Sequence, residues 1–294
     1  MRTGFRGLHP ITPLLFFAAA FTVGMTATHP LLLVGCIVSG AVYDVCLRGK
    51  RAVKYLFCVL LPAAALITCF NGLFSHYGVT ALFRLPGGNR VTLEALAFGG
   101  VFALRAMGAL LWLDCFNEIL TPEKIICLFG RFAPKTALLL SMSLRFIPLI
   151  RTQSAAIDAA QTGCGNAVRT GNPLCRLKTA AHRFSVLTSW LLEKGIDTAN
   201  AMRARGYGLP GRRAYTGFFF TPADGVILGL SALAGVLYGI LFIPLRASYN
   251  PVFDIPLPNA PQAAAAAVLL LILFLPPIFD FTEKKKWKQS RFAT

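Results

Sequence analysis

The sequence predicts an all-α integral membrane protein with about six transmembrane helices and long amphipathic helices in the cytoplasm. Three observations carry this. The 294 residues are 55% hydrophobic and only 14% charged, with a mean hydropathy of +0.62, outside the range of soluble globular chains. Six runs approach the roughly 20 apolar residues needed to cross about 30 Å of hydrocarbon. A stretch from Glu118 to Thr221 interrupts them with fourteen Lys/Arg against five Asp/Glu, and the positive-inside rule places such a stretch in the cytoplasm.

The spans are Ile11–Ala27, Leu31–Leu47, Ala52–Asn71, Leu93–Phe116, Gly225–Leu245 and Ala263–Phe281. The first two are short, and Thr28-His29-Pro30 between them reads as a tight turn. Arg2 and Arg6 before an apolar run imitate a signal peptide, but no small-residue cleavage site follows, so the first helix is read as retained. The external loop from Ser75 to Thr92 holds Gly78, Pro86, Gly87, Gly88 and Asn89 and is expected to form a short hairpin or irregular cap. On the fifth span Gly225, Gly229, Gly235 and Gly239, with Ser231, form a small-residue ridge. Internal packing is the simpler reading of it, ahead of an interface with a second membrane protein. The organisation is thus 1–117 with four spans, 118–221 as the cytoplasmic region, and 222–294 with two spans and a basic tail.

The net charge of +17 follows topology. Arg48, Lys50, Arg51 and Lys54 fill one short loop, Lys284, Lys285, Lys286, Lys288 and Arg291 crowd the C-terminus, and no Lys or Arg lies between Ala247 and Gln262. Six crossings put both termini on the basic, cytoplasmic side. The pattern implies a lipid bilayer as surroundings, and no nucleic acid.

In the 118–221 region, Thr121-Pro122-Glu123 opens a short helix, Thr121 as N-cap and Pro122 at the first helical position. A second helix is expected from Pro134 to about Gln161. Phe146, Leu149, Ile150, Ile157 and Ala160 share one face of it, with Arg151 and Asp158 on the other. Its first part, Ala137–Ile150, is almost wholly apolar yet carries Arg145 and Pro148, and its entry into the membrane is left open. A third helix is expected from about Leu177 to Arg205, with Phe184, Leu187, Leu191, Thr198 and Met202 on one face. Gly206 terminates it, and Pro210 and Gly211 prevent continuation.

Chemistry-bearing motifs are scarce. The eight cysteines are at least ten residues apart and form no CxxC, so neither a metal cluster nor a redox pair is implied. The four histidines have no metal-ligand spacing. Leu110-Leu111-Trp112-Leu113-Asp114 imitates a Walker B strand, but no phosphate-binding GxxxxGK[ST] exists. No catalytic set, cofactor site or metal site is visible. Asp44, Glu94, Arg105 and Asp114 are placed near span ends, which argues against a self-sufficient ion-driven carrier. The sharpest local signal is Ala204-Arg205-Gly206. Taken alone, Arg205 is an ordinary helix-end charge facing the partial negative charge of the helix C-terminus. Beside Arg203, Tyr207, Arg212 and Arg213, it is a rigid five-donor fork offered to a partner's carboxylate or carbonyl groups.

Seven blocks then occur in order: His9-Pro10-Ile11-Thr12, His29-Pro30-Leu31, Asn71-Gly72-Leu73-Phe74, Val91-Thr92-Leu93-Glu94-Ala95-Leu96, Leu120-Thr121-Pro122-Glu123-Lys124, Ser143-Leu144-Arg145-Phe146-Ile147-Pro148-Leu149 and Ala201-Met202-Arg203-Ala204-Arg205-Gly206-Tyr207-Gly208. With them, roughly from His9 to Arg213, the chain resembles the transmembrane T component of energy-coupling factor transporters, the family that includes the cobalt-transport permease type. The resemblance implies an L-shaped, non-enzymatic subunit whose coupling helices dock by two Ala-Arg-Gly-like ends on a pair of ABC ATPases. It further implies a separate membrane S component that binds a vitamin or metal ion, and Arg145 and Pro148 as shapers of one coupling helix. The second docking end carries over onto Ala204, Arg205 and Gly206. The first departs: Gly163, Cys164 and Gly165 stand there, with Cys164 in place of arginine. The competing readings are a membrane scaffold or channel gated by another cytoplasmic partner and, further off, a lipid-modifying enzyme.

Overall fold

The computed structural model describes residues 4–75, 80–84, 90–165, 173–209, 218–249 and 256–282. The chain forms two compact units, residues 1–124 with 218–294, and residues 125–217.

In the first unit α1 (Ile11–Thr26) and α2 (Pro30–Arg48) are joined by the expected turn, in which His29 accepts a hydrogen bond from Leu31 N–H and caps α2. Gly49, with φ +62°, breaks the chain for one residue before α3 (Lys50–Tyr55), so the basic loop expected here is largely helical. A π-helical turn, Leu56–Leu60, links α3 to α4 (Leu61–Phe74). Pro62 lies just beyond it, and a proline ring clashes with the carbonyl four residues back, which a wider turn relieves. The loop before the fourth predicted span forms a small antiparallel hairpin, β1 (Ala81–Arg84) and β2 (Arg90–Thr92), with an irregularity between Ala81 and Phe83.

Then come α5 (Leu93–Ile119), α6 (Pro122–Phe132), α7 (Pro134–Gly163), α8 (Pro173–Ala204), α9 (Pro222–Phe242) and α10 (Ala260–Leu273). Among the described residues four stretches are each long and apolar enough to cross a membrane: Pro30–Arg48, Lys50–Phe74, Leu93–Ile119 and Pro222–Phe242. The sixth predicted span is a bent pair, Ala260–Leu273 and Leu275–Thr282, turned by 41°. α1 is apolar but only 16 residues long. α7, at 30 residues, is long enough but is not among the helices apolar enough to cross.

α5 is the hub, packing on α1, α2 and α4, while α9 packs on α1 and α10. Phe5, Phe16, Phe17, Tyr43 and Trp112 form an aromatic core with ring centroids 5.6–6.5 Å apart. The Trp112 indole donates to the Cys36 carbonyl at 3.3 Å. In the Walker-like run Leu111 and Trp112 are core, Leu110 and Leu113 are exposed, and Asp114 pairs with Arg48. α4 meets α5 at close range, since a Cβ on Gly99 would lie 2.7 Å from Asn71 Cβ and 3.1 Å from the Thr68 carbonyl oxygen.

Two expectations need correcting. A Cβ on Gly229, Gly235 or Gly239 would meet nothing within 4 Å, whereas Ser231 is buried. The glycine ridge therefore lies off the internal contact of α9, because Ile227, Ser231, Ala234, Tyr238 and Leu241 make that contact instead. Arg105 is also not near a helix end, standing 12 residues after Leu93 and 14 before Ile119.

Candidate functional site

The second unit is built on α7 and α8, which meet through one polar clamp. Arg183 on α8 pairs with Asp158 at 2.5 Å and donates to Gln161 Oε1 at 3.2 Å on α7. The half-buried positions of α8, Thr179, Arg183, Leu187, Trp190, Leu191, Gly195, Thr198 and Met202, follow one helical stripe. The expected face is thus right except at Phe184, which is 72% exposed, because Arg183 takes the contact next to it. Among the described residues of this unit only Ala137 is buried, while Phe129, Phe132, Leu139, Leu174, Leu177 and Leu192 are all exposed. A surface this apolar requires cover by lipid or another protein.

The end of α8 forms a Schellman motif. Gly206 adopts φ +79°, its N–H bonds the Arg203 carbonyl at 3.0 Å, and the Tyr207 N–H bonds the Met202 carbonyl at 3.0 Å. These bonds satisfy carbonyls that the helix end would otherwise leave orphaned. Arg205 is thereby held as the last residue before the left-handed glycine. Ala204 before it presents only a methyl group. Arg203 and Arg205 are exposed and, among the described residues, neither is in an ion pair.

α7 also ends on a left-handed glycine. Gly165 has φ +83°, its N–H bonds the Thr162 carbonyl at 3.1 Å, and Cys164 N–H bonds the Ala160 carbonyl at 3.1 Å. Cys164 is exposed and stands where Arg205 stands in the other ending, with Gly163 matching Ala204. The two ends lie far apart along the helices. Arg183, clamped one to two turns before Cys164, is 22 residues from Arg205, about 33 Å along a helix that rises 1.5 Å per residue. Arg145 and Pro148 lie exposed on α7, which continues through the proline. Arg169, Arg212 and Arg213 lie outside the described residues.

Most of the other sequence blocks make scaffold. Asp224, fully buried, accepts from His9 N–H (2.9 Å), Thr12 Oγ1 (3.0 Å), Thr221 N–H (2.8 Å) and Thr221 Oγ1 (2.6 Å), tying the start of α1 to the start of α9. Sequence reasoning missed it, although Thr221-x-x-Asp224 is a capping-box spacing. Thr92 caps α5, and Glu94 accepts from Thr80 Oγ1 at 2.6 Å. Lys124 is 1% exposed and donates to the Phe5 carbonyl at 3.4 Å. Thr121 departs from its expected cap role, its hydroxyl being buried without a hydrogen bond. Arg48 faces three carboxylates, Asp114 at 3.2 Å, Asp44 at 3.7 Å and Glu118 at 3.8 Å, and Arg6 also pairs with Glu118. Among the described residues no His/Cys/Asp/Glu group could hold a metal.

A family model described as CbiQ, cobalt transport protein, matches residues 6–215. The energy-coupling factor transporter transmembrane protein EcfT of Brevibacillus brevis is 25% identical over 240 residues, 77% of this chain and 88% of that protein. The EcfT proteins of Leuconostoc gelidum subsp. gasicomitatum and Bacillus subtilis are 33% identical over 94 residues and 35% identical over 127. Those matches cover 32% and 42% of this chain but only 34% and 47% of the two relatives' lengths.

Proposed function

We propose that this chain, which belongs to the CbiQ cobalt transport protein family, is the non-catalytic energy-coupling membrane component of an ABC-type importer. In this reading the unit 125–217 is cytoplasmic and its two helix ends dock on two ABC ATPase subunits. A separate membrane S component binds the vitamin or metal ion and rides on the movement that ATPase closure drives.

The observation that carries the reading is the paired helix ending. Two helices finish in the same glycine-terminated geometry, on the order of 30 Å apart, which suits contact with two subunits rather than one. A backbone fixed by an αL glycine presents its last side chain in one direction, and a guanidinium there offers five donors. The exposed apolar surface of the same unit fits lipid and a membrane partner. The basic-residue asymmetry supports a cell-membrane protein with both termini cytoplasmic. Cysteine labelling at positions 50 and 286 from the inside, and 86 and 250 from the outside, tests that orientation.

Co-purification from native membranes tests the function. Two ABC ATPase copies, identical or different, and one small membrane protein are expected with each chain. A complex with no ATPase would favour the scaffold or channel reading and end this one.

A further inference from the structure

Arg105 stands near the middle of α5, about 18 Å from its start at 1.5 Å per residue, where an ionisable side chain is costly and calls for a partner. Part of its compensation is structural. α1 is so short that its C-terminal end lies beside Arg105, which donates from Nε to the Ala27 carbonyl (2.6 Å) and from Nη2 to the Thr26 carbonyl (2.8 Å). That contact caps orphan carbonyls at the negative end of a helix.

Capping does not account for what lies next to it. A cavity of about 360 Å³ opens between the α1–α2 turn, the first half of α5 and the segment after α9. Arg105 and Arg246 both line it, and among the described residues no carboxylate does. The other polar residues of the lining are Thr26, Thr28, Ser248 and Tyr249, all uncharged at neutral pH. Two guanidinium groups on one partly apolar cavity repel each other unless an anion lies with them. Phe98, Phe102 and Phe242 supply the apolar wall, and the Tyr249 hydroxyl, which donates to the Thr28 carbonyl at 3.1 Å, pins the segment after α9 over the turn.

We propose that this cavity binds an anionic phospholipid, its phosphate held by Arg105 and Arg246 and its acyl chain laid along Phe98, Phe102 and Phe242. Guanidinium groups match phosphate oxygens in geometry and charge, and the aromatic wall, which a free inorganic anion would leave empty, favours a lipid. The site sits at the end of the first unit opposite Arg48, and its lining contains no residue of α7 or α8. Its test does not use transport, so it stands or falls separately from the coupling role.

The test uses the full chain, with any partners it carries, in phosphatidylcholine nanodiscs doped with phosphatidylglycerol. Retained lipid is read by native mass spectrometry after release into detergent. Phosphatidylglycerol is expected to be retained over phosphatidylcholine by about tenfold, the scale of one charge-assisted contact. Arg246→Gln should remove that preference without lowering the melting temperature, whereas Arg105→Lys, which keeps the charge, should retain most of it. Equal retention of the two lipids, or an unchanged preference in Arg246→Gln, overturns the proposal. So does thermal protection by inorganic phosphate that equals the lipid's. Asp254 lies outside the described residues, and a preference that appears only in Asp254→Asn would mean that the chain supplies its own anion, which also overturns it.

Discussion

Cys164 and Arg205 occupy the same position in two helix endings, each the last residue before a left-handed glycine, Gly165 at φ +83° and Gly206 at φ +79°. The same left-handed glycine after different side chains separates what the ending needs from what docking needs. Glycine is needed at both, because an L side chain at positive φ costs about 1–2 kcal/mol. The guanidinium is present at one end only, so the two ends should differ in how strongly they bind.

Arg205→Glu should abolish ATP-driven uptake while leaving the protein in the membrane. Removing one partner of a desolvated charge contact costs roughly 30-fold or more in affinity, and reversing the charge adds repulsion. An arginine that stays exposed would cost almost nothing. ATPase pull-down and uptake by the variant at normal levels would reduce Arg205 to a helix-end charge.

Cys164→Ala should weaken ATPase retention less than Arg205→Ala, because a thiol lacks the fork of donors. Arg169→Ala distinguishes asymmetry from replacement. It should be nearly silent if the ends are unequal, and damaging if Arg169 substitutes for the missing arginine. We favour the unequal ends. Crosslinking from the exposed Cys164 should reach an ATPase surface in either case. Burial pushes the half-buried Cys127 thiol up, leaving it a poor competitor as a thiolate. A crosslink to no ATPase at all would show that the end of α7 is not a docking point.

Gly206→Ala should impair docking although it touches neither charge. The added methyl group forces φ away from +79° at a cost of about 1–2 kcal/mol, which loosens the Schellman bonds and lets Arg205 swing. Gly206→Asn should be milder, since asparagine tolerates the αL region. Uptake measured at matched expression reads the difference, and equal activity of all three proteins would remove the rigid-fork argument.

Arg48→Ala should destabilise the first unit by about 3–5 kcal/mol, because it leaves Asp44, Asp114 and Glu118 without their shared cation. Asp44 is 1% exposed and neither of its oxygens is hydrogen-bonded. Asp44→Asn should therefore cost less than about 1 kcal/mol, since it removes one of three like charges and keeps the volume. Thermal unfolding in detergent gives both values. A larger loss for Asp44→Asn than for Arg48→Ala would contradict this account of the cluster.

The candidate site was legible in the sequence to the extent that it is local. Gly206 marks the end of α8 because only glycine suits αL, and Pro122 and Pro134 mark helix starts because proline suits the first turn. The clamp from Arg183 to Asp158 was not legible. Its partners lie on different helices, and nothing in either helix's periodicity selects one arginine among several. Arg183 in turn explains why Phe184, placed on the packed face by its spacing, points outward.

The sequence by itself determined the class of protein, the approximate limits of its long apolar helices, and the glycine that closes α8. Each depends on run length or on a single residue's allowed φ, and both are properties of neighbouring residues. Only the tertiary structure decided which distant polar groups meet: Asp224 with His9 and Thr12, Arg48 with Asp114 and Glu118, and Arg105 with the end of α1. Those partners lie tens to hundreds of residues apart, so no local pattern records them. Tertiary structure also decided which face of α9 is internal. In a membrane both faces of a helix are apolar, so hydropathy cannot choose between them, and the choice falls to packing and hydrogen bonding between helices. That is why the glycine ridge, read from spacing as the packed face, lies on the open one.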